Sequence, residues 1–171
     1  MGEKEMVNYK FKTKPYAHQQ TGMEKAGSRK SYAFLCEMGT GKSKILIDNL
    51  GVLFQKGKVN FALIIAPKGV YRNWVQKELP QHMSDEVPHR MIRWIATPNK
   101  KQREEMSSVK EAYSGLTVFV MNVEAFSSIK GRQAGEWMAK KYGGHGLIAI
   151  DESTTIKNPK AKRTKALHKI A

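Results

Sequence analysis

Five stretches of the chain are nearly continuous in apolar residues and rich in β-branched and aromatic types: Ser31–Cys36, Phe61–Ala66, Met91–Ala96, Leu116–Met121 and Gly146–Ile150. A strand with one wet face alternates polar and apolar positions, so continuous runs predict strands buried on both faces. Between them, Lys42–Gln55, Val70–Leu79, Lys100–Tyr113 and Gln133–Tyr142 have helical spacing. The first of these aligns Ile45, Leu46, Asn49, Leu50, Leu53 and Phe54 on one side. Turn-forming residues fall at the breaks: Gly57, Pro67 to Gly69, Pro98 and Asn99, Gly115, Gly143 and Gly144. Strand and helix in alternation predict an α/β fold, a parallel sheet with helices on both faces. Residues 1–30 differ: Lys12, Lys14 and Pro15 precede a short helical pattern from Ala17 to Ala26, which reads as an arm packed on the first strand, ahead of a main domain of residues 31–171.

In sheets of this kind ligands collect at the carboxyl ends of the strands. After the first predicted strand comes Glu37-Met38-Gly39-Thr40-Gly41-Lys42-Ser43, opening a helix. Two glycines let the backbone turn its amides around phosphate oxygens, and the helix N-terminus adds its positive end. Lys42 can then reach the β- and γ-phosphates and Ser43 can ligate Mg²⁺. The full phosphate-loop pattern would place glycine at position 36, where this chain has Cys36, so the match is partial. After the fifth strand stand Asp151 and Glu152. Asp151 is placed to hold Mg²⁺ and Glu152 to orient and deprotonate an attacking water. Alone, such a pair is equally a helix-capping signal. Loop first and acidic strand end later, the two together specify a nucleoside triphosphatase core.

Charge adds a partner. Thirty Lys and Arg face fifteen Asp and Glu, a formal net charge of +15, and a field of that sign and size attracts polyanions through counterion release. The last acid is Glu152, and beyond it Lys157, Lys160, Lys162, Arg163, Lys165 and Lys169 offer a phosphate-tracking surface or a solvated helix face. Cys36 is the single cysteine, which excludes an intramolecular disulfide and a cysteine-cluster zinc site. The five histidines show no ligand spacing, and Trp74, Trp94 and Trp137 read as packing residues. No apolar run approaches the roughly 20 residues that span a bilayer, and the N-terminus has no signal-peptide core. The expectation is an intracellular protein, cytoplasmic or nucleoid-associated.

Several blocks, in order, resemble the superfamily 2 helicase-like ATPases, and within them the Swi/Snf-type DNA translocases. Pro15-Tyr16-Ala17-His18-Gln19 is similar to the adenine-reading Q-type motif, with Gln19 as the base-reading residue. Glu37 to Ser43 is similar to that branch's motif I. Leu63-Ile64-Ile65-Ala66-Pro67, followed by Asn73-Trp74 and Glu78, resembles motif Ia. Val120-Met121-Asn122-Val123-Glu124 resembles the next block, with Asn122 and Val123 where the family favours Thr or Ser and Tyr. Asp151-Glu152-Ser153-Thr154 resembles the DExH box, with Ser153-Thr154 in place of Ala-His, and Ile156-Lys157-Asn158-Pro159 continues it in the Swi/Snf manner.

The resemblance implies a RecA-like P-loop lobe, the N-terminal ATP-binding lobe of a DNA-dependent helicase or translocase. It implies ATP and Mg²⁺ as cofactors, with Gln19, Gly39, Thr40, Gly41, Lys42 and Ser43 around the nucleotide, Ser43 and Asp151 on the metal, and Lys42, Asp151 and Glu152 in catalysis. DNA, duplex rather than single-stranded, would cross the strand ends at Lys68, Gly69, Asn122 and Lys157. No motif III block is present, and in this fold its strand lies between the phosphate-loop strand and the strand bearing Asp151. A fragment without that strand and without the second lobe is therefore expected, with the two flanking strands closing up or the gap filled from elsewhere, and with weak turnover. Two rivals stay open. A non-enzymatic DNA- or protein-binding module has no need of Lys42, Asp151 and Glu152 together. A small-substrate kinase has no need of Gln19, the Pro67, Trp74 and Glu78 block, or Lys157-Asn158.

Overall fold

The six residues Phe61–Ala66 (β1) are buried at every position, and the sheet assembles on both sides of them. A computed structural model describes residues 8–27, 29–34 and 39–171. Within these, His89–Arg93 (β2), Leu116–Asn122 (β3) and Gly146–Ile150 (β4) complete a sheet of order β2-β3-β1-β4. Every pairing is parallel, with Phe61 opposite Thr117 on one side and Gly146 on the other. The continuous apolar runs have a simple cause, because alternate residues serve different helical layers. Ala62, Ile64, Ala66, Val118 and Val120 meet Ile47 and Leu50 of Lys42–Gln55 (α2) together with Trp74 and Leu79. Phe61, Leu63, Ile65, Phe119 and Met121 meet Phe126, Met138 of Ile129–Tyr142 (α6) and Leu167 of Lys162–Ile170 (α7).

Several boundaries depart from the sequence expectation. Ser31–Phe34 is not a strand; the rest of that predicted strand, with Cys36, and the loop residues Glu37 and Met38 lie outside the described residues. The sheet therefore has four strands among the described residues, not five. β4 hydrogen-bonds to β1 on one side and to no described strand on the other, and its apolar residues Leu147–Ile150 are only half-buried. The third strand begins two residues early, at His89, and ends at Arg93, although Trp94 N–H still donates to Val120 O at 2.8 Å. The helix predicted from Lys100 ends at Ser107 (α5), passing into a 3-10 turn, while α6 starts earlier than predicted because the Ser128 hydroxyl accepts from Gly131 N–H and caps it. The segment predicted as one helix from Val70 comes in three pieces: Tyr71–Asn73 (α3), a π-turn over Trp74–Glu78 and Leu79–His82 (α4). Pro80 in α4 has no N–H to return to the carbonyl of Gln76, which a regular helix requires.

The arm is held by charge as well as by apolar packing. Ala17–Gly27 (α1) lies on α2, and the preceding irregular segment buries Tyr9 against Gly51, where any side chain on the helix would strike the Tyr9 ring. Lys44 of α2 donates to Asp48 Oδ2 at 2.6 Å and to Thr13 O at 2.7 Å, and its ammonium lies 5.6 Å from the centre of the Phe11 ring. Both charged side chains are almost fully buried. Burial pushes the Asp48 carboxyl above its ordinary 3.8 and Lys44 pulls it part of the way back. A carboxyl that keeps its proton to higher pH when folded than when unfolded loses stabilising contribution as pH rises from 3.8 through its folded value.

Replacing Lys44 by Met strips Asp48 of its counter-charge and should cost about 3–5 kcal/mol. The loss should be greater at pH 7 than at pH 5, because without Lys44 the Asp48 carboxyl is raised further. Urea unfolding at the two pH values reads both effects, and a deficit that is small and independent of pH would contradict them.

Candidate functional site

Gly39 and Gly41 both take left-handed backbone, φ 80° and 76°, a conformation that costs other residues about 1–2 kcal/mol. At Gly39 the requirement is the dihedral alone, since an added Cβ would meet nothing within 4 Å. At Gly41 space is refused as well, because a Cβ would collide with the amide nitrogen of Gln19. Gly41 is also the N-cap of α2 and brings no side chain to cap it. A 14-residue helix thus begins beneath a glycine loop at an N-cap that has no side chain of its own, a setting whose positive helix end suits an anion.

Gln19 is buried, and both ends of its amide are engaged by the protein. Its Oε1 accepts from Tyr16 N–H at 2.9 Å, and its Nε2 donates to Thr40 O at 3.3 Å. The ring of His18 makes a second link to the same carbonyl, Nε2 to Thr40 O at 3.0 Å, and stacks on Tyr16. The arm therefore fastens the loop between its two glycines. Each amide end of Gln19 retains one further hydrogen-bonding position for a ligand. Beside this fastening, α1, Tyr32, Phe34 and Ile45 line an open depression of about 280 Å³.

Asp151 and Glu152 follow β4 at the carboxyl edge of the sheet. The main-chain N–H of Asp151 donates to Ile65 O at 2.8 Å, carrying the β1 pairing one residue beyond the strand. Its Oδ2 accepts from the indole N–H of Trp74 at 3.0 Å, while Oδ1 has no hydrogen-bond partner among the described residues. Glu152 is exposed and stands at φ 55°, the one described non-glycine residue in left-handed backbone. It is the N-cap of the 3-10 turn Ser153–Ile156, yet only its carbonyl is used, by Thr155 N–H and Oγ1; the carboxylate does not cap. A capping role accounts for neither acid.

Of the expected nucleic-acid contacts, Lys68 and Asn122 come together through Glu124. Its Oε2 accepts from Asn122 Nδ2 at 3.1 Å and its Oε1 lies 3.5 Å from Lys68 N. Next to Gly69, Val70 N–H is already donated to Pro67 O at 2.9 Å, so it adds no amide to this cluster. Lys157 stands apart, on the turn that closes the 3-10 segment. Two contributors escape sequence reasoning. Trp74 is packed, as expected, but also directs its N–H at Asp151; Glu124 places a negative charge between two residues expected to meet phosphate. The signal for Glu124 is its spacing of two from Asn122. That for Trp74 needs the tertiary fold, since 77 residues separate it from its acceptor.

Comparison with solved structures decides the architecture. The ATPase core of a Sulfolobus solfataricus SWI2/SNF2 protein, solved in complex with double-stranded DNA, superposes over 93% of the chain with a TM-score of 0.66 at 19% identity. The fold is that of a Swi/Snf-type ATPase core. Sequence points to the same relatives: a SNF2 domain-containing protein of Oryza sativa subsp. japonica, ENL1, is 27% identical over 136 residues, 78% of the chain. No family model matches. The chain spans 13% of the rice protein and 30% of the Sulfolobus core. The likeness is one of fold, and the all-parallel sheet with its helices follows the RecA-like pattern expected from the motifs.

The strain at Glu152 has a measurable consequence. Glycine at 152 should exceed alanine in stability by about 1 kcal/mol, because only glycine takes φ near 55° without steric penalty. Thermal or urea unfolding of the two variants makes the comparison, and equal stabilities would show that the left-handed backbone carries no strain.

Proposed function

We propose that the chain is the first lobe of a DNA-dependent ATPase of the helicase or translocase type, binding Mg·ATP and the DNA backbone. The observation that carries this reading is the pair of left-handed glycines, 39 and 41, that turns the chain into the N-terminus of α2. The residues present fit the nucleotide and its metal. Gly39, Thr40 and Gly41 would cradle the phosphates, Lys42 would neutralise the β- and γ-oxygens, and Ser43 and Asp151 would hold Mg²⁺. Gln19 would read the adenine with its unused amide positions, next to the open depression between α1 and Phe34. When bound, Mg²⁺ offsets the charge that develops on the transferred phosphoryl group. Glu152, exposed and not engaged as a cap, would orient water and accept its proton.

Turnover by the chain alone should be slow. Arginines that reach the γ-phosphate raise phosphoryl-transfer rates by about 10³–10⁵, and in helicase-like enzymes they come from a second lobe. The DNA reading rests on the +15 charge and on the Lys68, Gly69 and Asn122 cluster at the strand ends. A phosphate arriving there must displace Glu124 from Lys68 N–H, so this acid tempers the affinity of an otherwise basic edge. Backbone contacts of this kind position duplex without reading its sequence.

Calorimetry with Mg·ATP, and hydrolysis assayed with and without duplex DNA, provide the test. Lys42→Ala should abolish nucleotide binding and leave DNA affinity nearly unchanged, and Glu152→Gln should bind nucleotide but not turn it over. Wild-type protein that binds DNA but no nucleotide would instead establish the non-enzymatic module. Lys68→Ala should weaken DNA binding alike for all sequences and reduce the salt slope by about 1. An unchanged slope would remove Lys68 from the interface.

A further inference from the structure

Tyr71 to His82 is helical throughout but not uniformly wound. Leu79 N–H donates to Trp74 O, a step of five residues where an α-helix takes four, and the wide turn runs over Trp74–Glu78. Pro80 comes immediately after, unable to donate and sterically opposed to the carbonyl four residues back. A single wide turn is the usual accommodation of such a defect, and wide turns of this type concentrate at functional sites. An extra residue in a turn rotates the residues before it relative to those after it. Here the rotated residue is Trp74, which is 2% exposed in the core beneath the sheet edge.

The indole N–H of Trp74 meets Asp151 Oδ2 at 3.0 Å. Such pairing is not automatic in this chain, for the buried indole nitrogen of Trp94 has no partner among the described residues. Asp151 is thereby fixed twice, its main chain by β1 through Ile65 O and its carboxylate by the indole. One oxygen is taken and the other, Oδ1, is left without a partner among the described residues.

We propose that Trp74 is the positioning residue of Asp151: held in place by the π-turn that Pro80 imposes, it anchors one carboxylate oxygen so that the other is presented to a divalent cation. The cation-binding half rests on the nucleotide reading above; the pairing itself does not. Outer hydrogen bonds to metal-ligating groups typically govern affinity by 10–100-fold.

The test uses the intact chain. Proton–nitrogen spectra resolve three indole signals, assigned by single Trp→Phe replacements. Asp151→Asn should move the Trp74 indole proton upfield, because an amide oxygen is a weaker acceptor than a carboxylate, and leave Trp94 and Trp137 unmoved. Pro80→Ala, which restores the missing donor, should shift the same signal without touching the acid. In calorimetry with ADP at graded Mg²⁺, Trp74→Phe should raise the half-effective Mg²⁺ concentration about tenfold and leave metal-free ADP binding unchanged. Trp74→His, which keeps a ring N–H, should recover part of that loss. A Trp74 signal indifferent to Asp151→Asn would overturn the pairing. An unaltered Mg²⁺ midpoint in Trp74→Phe, with a normal Mg²⁺ effect in the wild type, would overturn the positioning role alone. Absence of any Mg²⁺ effect in the wild type would overturn both that role and the nucleotide reading.

Discussion

The parallel pairing of β1 with strands on both its sides is the constraint on which everything else in this chain depends. Parallel strands deliver all their carboxyl ends to one edge, and each must be reached through a crossover that covers a face of the sheet. β1 satisfies this by burying all six residues, three toward α2 and the wide-turned helix, three toward α6 and α7. The Asp151 N–H to Ile65 O bond is the last rung of that ladder. A slip of one residue between β1 and β4 would turn Asp151 to the opposite face and away from Trp74.

The layers are unequal in how they tolerate polarity. Beneath α1 and α2 a charged pair, Lys44 with Asp48, sits where apolar residues would serve cohesion at least as well. Its bond to Thr13 O gives it a different value, since it fixes the path of the arm that carries Gln19 to the loop. The opposite layer, under α6 and α7, buries the Thr164 hydroxyl but no charged side chain among the described residues. Charge is buried on the side where the arm has to meet the glycine loop.

Much of this is legible in the sequence. Strands β1, β3 and β4 and the helix α2 emerge within a residue of their predicted limits, because their apolar runs and turn residues agree with each other. The strand expected over Ser31–Cys36 rests on its apolar run alone, and Ser31–Phe34 is not in a strand. The helix expected from Val70 rests on periodicity, which is blind to a proline whose effect falls on the turn before it. Gln19, Gly39 to Ser43, Asp151 and Glu152 stand out as local patterns. The bonds that relate them, Gln19 to Thr40 and Trp74 to Asp151, join residues far apart in the chain, and no local spacing encodes them.

The close fit of Gly41 against Gln19 reaches beyond mechanics. Any side chain at 41 would evict the Gln19 amide, and shortening residue 19 would remove one of the two arm side chains that hold the carbonyl of Thr40. Neither position can change first without loss, so drift at one is conditional on the other. Among descendants of this sequence the two should vary as a pair or not at all, and a library that randomises the arm while holding the loop fixed would sample mostly members whose loop is unfastened.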